Sequence, residues 1–553
     1  MRSSPLRRII APCRAQRYTE ATVAPMTWKK AASANELDAG PVVFNHSPKQ
    51  IALFKAGGQV YAVDNRCPHE GYPLAQGHVD ADCVLTCNWH NWKFRLQDGK
   101  CILGGDHVRG YPVKTENGDL WVDVQDLPPE QIQETVLEAL RTAFDDRDFG
   151  RICREITRLH YNQLDPIAAV RKAIEWSHDR FEFGFTHAYA AGADWLARSR
   201  IYKDDWEKQL VCLAEAVDHM AFDAVRQPAF PFAEPGEPFD AEAFVAAVEM
   251  EQTKRAEAMV RRGLLDGLHW EDMAEAFAEA ALAHYNSFGH SLIYVYKAGQ
   301  LLQLAGLEME PCVLPPLARH LCYTTREDLL PEFPGYAAAL DSLPEILNQA
   351  DGNPVTESFF PGTVRESFEQ LQNLASSHEA LSLFDALLGA LARNTLHFDT
   401  SYGSACDRPV SQNVGWLGFT HGITFSNAVR NICTKYPHLW PKGLLQMACF
   451  VGRNRPYLDL ELDTSPWMVG TRDVFFTEIH ERILDHGLRD PIFSAHLLKT
   501  AVAVEEELEH ASDSCANYLL AALNRFFHSP LKQKHTRRLA RQAIDLVARD
   551  FKP

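Results

Sequence analysis

Four residues within one short stretch have the types and spacing of a metal centre. Cys67-x-His69 is followed by a gap of seventeen residues (70 to 86) and then by Cys87-x-x-His90. Each Cys/His pair fits in a single turn of chain, and the segment between them has hairpin length. A cysteine and a histidine from each pair can therefore meet at one point. Two thiolates can bind one iron of a two-iron, two-sulfide cluster while two imidazoles bind the other. A Cys2His2 zinc site is the rival, but zinc fingers usually place Cys with Cys and His with His along the chain. Pro68 stiffens the first turn, Gly71 and Gly77 permit close backbone approach, and Trp89, Trp92 and Phe94 are expected to wall the cluster from water.

On these residues, positions 26 to 127 resemble a ferredoxin-type Rieske domain of the kind that feeds Rieske non-haem oxygenases. The resemblance implies that Cys67 and Cys87 bind one iron of a [2Fe-2S] cluster and that His69 and His90 bind the other. Respiratory Rieske proteins carry an additional cysteine in each ligand loop. Here Glu70 to Tyr72 follow the first pair and Asn88-Trp89 fill the second, while Cys83 has no evident partner. The resemblance thus points to the lower-potential, electron-donating type, within a class that spans about −150 to +300 mV.

The elements that must hold those ligands read as short strands. Val42 to Phe44, Ile51 to Lys55 and Val60 to Asp64 are β-branched or aromatic runs, with Gly57-Gly58 as the turn between the last two. Lys93 to Leu96, the Asp98-Gly99 turn and Leu120 to Val124 are expected to complete one small antiparallel sheet. Leu127-Pro128-Pro129 breaks the chain, and a domain boundary is placed there. Beyond it the period lengthens: Ile132, Val136, Leu137 and Leu140 form a helical stripe. Such patterns recur at 166–199, 206–225, 239–304, 366–394, 410–433, 440–452, 472–486 and 491–524. Pro-rich breaks lie at Gln227 to Pro238 and Pro331 to Pro361. The expected fold is therefore multidomain: a small antiparallel β domain (26–127) followed by a large all-α domain (131–553) of ten or more helices.

A Rieske cluster passes single electrons and does not activate a substrate. In the usual Rieske oxygenase the partner domain is α+β and binds iron through two His and one carboxylate. That pattern is absent, so those catalytic residues are not carried over. The helical part has its own histidine-centred stretches, with His187 in THAYAAGA, His290 in FGHSLIY, His421 in FTHGITF, and His496 with Lys499 in HLLK. His496 and Lys499 share a helix face. A buried histidine among apolar neighbours is commonly a satisfied core residue. Four such stretches beside an electron donor favour ligands. These stretches are similar to those of the questin oxidase-like family of helical non-haem iron oxygenases, which oxidise or cleave aromatic polyketide rings. The resemblance implies iron held by His187, His290, His421 and His496, with Lys499 as a carboxylated lysine ligand. The fused Rieske domain departs from that family, and it shifts the expected chemistry towards monooxygenation or reductive O2 activation, with dioxygenation as the alternative.

Two other function classes stay open. Glu175-x-x-His178 and Glu507-x-x-His510 have the helical signature of ferritin-like diiron oxygenases. Alternatively, the chain is a Rieske electron carrier or redox sensor fused to a helical partner-binding domain. His397-Phe-Asp399 with Asp407 reads as a loop pin before a metal face, and Gly452 to Arg455 as a helix end or an anion grip. No catalytic residue is assigned beyond these ligand sets.

Composition limits the rest. A length of 553 residues exceeds one core, and 46% hydrophobic with 23% charged residues is ordinary for a globular protein. A net charge of −18 argues against nucleic acid as a partner. No apolar run is long enough to span a membrane. Thirteen scattered cysteines suit a reducing, cytoplasmic setting. Residues 1–25 carry Arg2, Arg7, Arg8, Arg14 and Arg17 before the first acid, Glu20. They read as a disordered or transit-like extension, with organelle targeting or a true start at Met26 as its two explanations. No flavin or nicotinamide fingerprint is found. The expected partners are then a separate flavin/NAD(P)H reductase or ferredoxin, O2 and a small organic substrate, an aromatic one among the candidates, with the oligomeric state open.

Overall fold

The computed structural model describes residues 26–344, 347 and 358–548. The N-terminal extension 1–25 lies outside them, as does much of the second Pro-rich break. The chain divides into two compact units, Met1–Thr135 and Val136–Pro553. The division falls inside the helix Pro129–Asp146, just past the proline break.

Within the first unit the backbone forms three antiparallel sheets, where the sequence pattern suggested one. One joins Trp28–Ser33, Asp119–Asp123 and Val113–Glu116. The second joins Val42–His46, Lys49–Ala56, Gln59–Asp64 and Gly110–Tyr111. The third joins His78–Val79, Val84–Thr86, Lys93–Arg95 and Cys101–Leu103. Several of these strands are only two or three residues long, too short to show alternation, and so had no signal of their own. The strand Lys49–Ala56 explains why the sheets separate. Its alternate residues face opposite ways, and both sides are buried. Ile51 and Leu53 join one core with Leu120 and Val122, whereas Ala52 and Phe54 join another with Cys67, Leu85, Cys87 and Phe94. The second core thus carries both cysteines of the motif.

The second unit is helical. Twenty α-helices among the described residues run between Pro129 and Ala548, and β structure beyond Val136 is limited to isolated bridges. The helices that carry the four histidines are His187–Ile201, His290–Ala305, Trp416–Lys435 and Pro491–Glu507. Each is apolar around most of its circumference and sits centrally, while an outer helix such as Phe149–Tyr161 keeps one polar side. Small residues allow close packing: a Cβ at Gly192 would meet the Met220 methyl at 2.8 Å. Some charges taken into this interior are paired, as Lys297 is with Asp194 at 2.7 Å.

Candidate metal centres

Two loops of matching construction carry the first four candidates. In one, Gly71 N–H donates to the Cys67 carbonyl at 2.8 Å and Cys67 N–H to that of Tyr72 at 2.9 Å. In the other, Asn91 N–H donates to the Cys87 carbonyl at 3.0 Å and Cys87 N–H to that of Trp92 at 2.8 Å. Both loops reverse at a left-handed residue, Gly71 with φ 78° and Asn91 with φ 61°, a conformation that Gly and Asn tolerate best. Each closed turn presents its Cys inward and its His outward. Cys67 and Cys87 are buried, His69 is half-buried and His90 is exposed. The Nδ1 atoms of His69 and His90 lie 3.0 Å apart. That is about the separation of two nitrogens sharing one metal through bonds of roughly 2.0–2.1 Å.

Burial pushes the Cys67 thiol up to about 11, against the pull of the His69 and Glu70 backbone N–H groups directed at its sulfur. A metal must displace that proton to gain the thiolate. Trp92 stacks on His69 with centroids 4.7 Å apart, and Trp89 stacks on His90 at 4.8 Å. The expected aromatic wall needs one correction. Phe94 is fully buried, but Trp89 is 54% exposed and covers only an imidazole face, because its turn stands at the surface.

The Rieske [2Fe-2S] domain model matches residues 27–114. The 3-phenylpropionate/cinnamic acid dioxygenase ferredoxin subunit of Escherichia coli K12 is 36% identical over 81 residues, which are 14% of this chain and 76% of that protein. The chain belongs to the Rieske [2Fe-2S] family. The same subunit from Shigella boydii serotype 4 is 35% identical over the same length. Among solved structures, the ferredoxin of carbazole 1,9a-dioxygenase from Nocardioides aromaticivorans IC177 is 23% identical. It covers 18% of this chain and 99% of its own, with a TM-score of 0.17. Apo dicamba monooxygenase is 27% identical, with coverages of 18% and 34% and a TM-score of 0.17. The Rieske domain supports a [2Fe-2S] cluster, and its two inward thiols and paired outward Nδ1 atoms fit that group.

In the helical unit of this Rieske protein, four imidazoles and one amine meet. His187 Nε2 lies 3.1 Å from His290 Nε2, His496 Nε2 lies 3.4 Å from His421 Nε2, and Lys499 Nζ lies 3.2 Å from His421 Nε2. Ligand nitrogens of His187, His421 and His496 all fall within 4.8 Å of one another. Nitrogens on one metal at roughly 2.1 Å are separated by about 3.0–3.4 Å along an octahedral or tetrahedral edge. Thr186 caps the first helix and hydrogen-bonds Asp223 at 2.7 Å, which places His187 at that helix's first position.

His290 also starts a helix, after a strained turn in which Ser287, Phe288 and Gly289 take φ of 43°, 52° and 73°. Positive φ at a non-glycine aromatic costs on the order of 1–3 kcal/mol and persists where the surroundings enforce it. Glu327 does so, accepting from Phe288 N–H and from Arg453, each at 3.2 Å.

The outer nitrogens settle two of the four tautomers. His290 Nδ1 bonds the Ser287 carbonyl and His496 Nδ1 the Ile492 carbonyl, the latter at 2.6 Å. A carbonyl only accepts, so both Nδ1 atoms carry hydrogen and both Nε2 atoms keep their lone pairs. His187 Nδ1 meets the Tyr294 hydroxyl at 3.0 Å, whereas His421 Nδ1 is buried near the Leu417 backbone. Burial first, then the Lys499 charge, holds His187, His421 and His496 well below the ordinary range and takes His290 down to about 3. Burial pulls the Lys499 amine down to about 7, opposed by Asp194. Neutral imidazoles with converging lone pairs are the donor set of a borderline transition-metal site.

The structure does not bring the two Glu-x-x-His pairs together: among the described residues neither joins a three-ligand group. Glu507 is buried and receives Arg430 at 2.9 Å and Asn427 at 2.8 Å, while half-exposed Glu175 takes Lys172 at 2.6 Å. Charge pairing therefore accounts for Glu507 and Glu175, and His178 and His510 do not add a site. His397 pins a loop through the Asp459 carbonyl at 2.9 Å, and Asp399 accepts from Ser401 N–H. Tyr294 was not singled out from the sequence, although it stands four residues after His290 on the same helix face, a spacing that offers the signal.

Proposed function

We propose that the chain is a Rieske-fed non-haem iron oxygenase, with electron donor and oxygen-activating site in one polypeptide. The observation that carries this reading is the mutual approach of ligand nitrogens of His187, His421 and His496, with His290 Nε2 beside His187 and Lys499 beside His421, in a chain that also holds a Rieske domain. Cys67, Cys87, His69 and His90 hold the cluster, and the outward imidazoles give it an edge for electron exchange. The four helical histidines hold iron. Iron there would supply O2 activation for oxidation of an organic substrate, monooxygenation being favoured because electrons are supplied.

The protein's residues prepare that site in three ways. Buried, neutral imidazoles need shed no proton to bind a cation. The Ser287 and Ile492 carbonyls fix ring orientation, as outer partners of metal-bound histidines do. A neutral Lys499 amine can add CO2: the N–C bond forms, one proton leaves, and the resulting carbamate oxygen is an anionic ligand that this donor set otherwise lacks. The resemblance of the four helical stretches to questin oxidase-like proteins supports the same arrangement. Electrons would come from a separate flavin-dependent reductase or ferredoxin.

The test is the iron content of the full chain after anaerobic reconstitution. Iron beyond the two cluster atoms, lost in His421→Ala but kept in Cys87→Ser, is the expected result. Cluster iron alone would refute the oxygenase and leave an electron carrier or redox sensor with a helical partner-binding domain.

A further inference from the structure

One side of the histidine cluster is open. A cavity of about 1300 Å³ in the helical unit has both His290 and His421 in its wall. This is larger than the ~300–1,000 Å³ of common ligand pockets, so it has room for a multi-ring molecule. Its wall combines two chemistries. Phe288 stands beside His421 with ring centroids 6.4 Å apart, and Phe398, Trp416 and Trp467 add further aromatic faces. The segment from Ser529 to His535 and the start of the helix Thr536–Ala548 bring Lys532, Lys534 and Arg538 into the same wall.

Among the described residues, Lys532 and Arg538 hydrogen-bond to backbone carbonyls and to no carboxylate. Arg538 is 4% exposed, yet its guanidinium donates only to the carbonyls of Ala405 and Tyr402, at 2.8 and 2.5 Å. Arg525, also buried and lining the cavity, is satisfied differently: it donates to the Leu396 and Phe398 carbonyls, lies over the Trp416 ring and has Asp399 and Asp459 close enough to favour its charge. Exposed Lys532 reaches only the Ser404 carbonyl, at 3.4 Å. Among the described residues, Glu332 is the sole carboxylate of the lining. Buried guanidinium groups are normally matched by an anion, because leaving such a charge unpaired is costly. A largely cationic cavity wall in a chain of net charge −18 is also not an effect of overall composition.

We propose that this cavity binds an aromatic carboxylate, with its ring system between the four aromatic side chains and its carboxylate at Lys532, Lys534 and Arg538. The ring system then lies beside Phe288 and the His290 and His421 imidazoles, and the cationic side chains orient the ligand. The proposal deepens the oxygenase reading by naming its substrate class, and it rests on that reading only for what happens after binding.

Binding of two near-isosteric probes to the reconstituted full chain tests it, with 2-naphthoate compared against 2-naphthamide by calorimetry and by quenching of tryptophan fluorescence. Naphthoate should bind about tenfold or more tighter, and the preference should shrink as salt is raised. The double variant Lys532→Glu/Lys534→Glu alters two exposed side chains and should abolish the preference while leaving iron content unchanged. Arg538→Gln should weaken naphthoate more than naphthamide. Equal affinity of the two probes, or a preference that survives the charge reversal, overturns the proposal. Iron measured on the same samples separates the two readings. A carboxylate preference without helical iron sinks the oxygenase and keeps the anion site, whereas helical iron without the preference sinks the anion site alone.

Discussion

His187 Nε2 and His290 Nε2 lie 3.1 Å apart, on helices whose sequence positions differ by more than a hundred. His290 spends its only hydrogen on the Ser287 carbonyl, so its Nε2 offers a lone pair to this contact. Both rings are held neutral by burial. A shared cation satisfies that geometry with no further rearrangement of the side chains.

The same geometry ranks single substitutions. His187→Ala, His290→Ala, His421→Ala and His496→Ala should each lower helical metal affinity by at least tenfold. The Rieske electron paramagnetic resonance signal of the reduced chain should not change in any of them. Full metal retention in two or more of these variants would remove the common site.

Tyr294 reaches His187 from behind at 3.0 Å. Tyr294→Phe keeps the ring and deletes the hydroxyl, so the fold should hold while metal affinity drops about 10–100-fold, the usual cost of losing such an outer partner. An unchanged affinity in competition with a chelator would show that the hydroxyl does not orient the imidazole.

Gly289 precedes His290 at φ 73°, and a Cβ there would meet the Phe425 ring at 2.6 Å. Gly289→Ala is expected to cost about 1–3 kcal/mol and to shift His290 off the cluster. Thermal melting and metal content should fall together. A variant with wild-type melting would mean that the turn relaxes freely.

Enclosed neutral histidines also set a pH dependence. Burial takes His290 to about 3 and His320 to about 4, whereas the unfolded chain binds those protons near 6.5. Between these limits the unfolded state holds more protons than the native state. Stability is therefore complete above pH ~6.5 and is lost as pH falls towards the native values, by up to about 1.4 kcal/mol per pH unit for each such histidine. The urea midpoint of the metal-stripped chain should decline from pH 7 to pH 5. A flat midpoint across that interval would contradict the burial.

In the Rieske domain, His69→Cys should move the reduced electron paramagnetic resonance spectrum towards that of a four-cysteine cluster. Cys87→Ser should eliminate the cluster and, with it, O2-dependent turnover driven by an external reductase. Multiple turnovers without the cluster would disconnect it from the helical site.

The sequence by itself determined the N-terminal ligand motif, because its chemistry is local. Cys67 with His69, and Cys87 with His90, sit in turns closed by hydrogen bonds to residues at most five positions away, so spacing alone carries the geometry. It also determined the switch from strand to helix near Pro128-Pro129, since periodicity is a property of neighbours. Three separate sheets were not legible, because strands of two or three residues have no period. Only the tertiary structure decided which histidines meet. His187, His290, His421 and His496 come from four helices, and nothing in the spacing between such distant positions encodes the direction in which each ring points. The same holds for the pairs that looked like a diiron signature. Glu507 is claimed by Arg430 and Asn427 from another helix, a partnership that the Glu-x-x-His pattern cannot contain. Burial made these outcomes possible, since it is packing between helices that strips water from an imidazole or a carboxylate and fixes what must replace it.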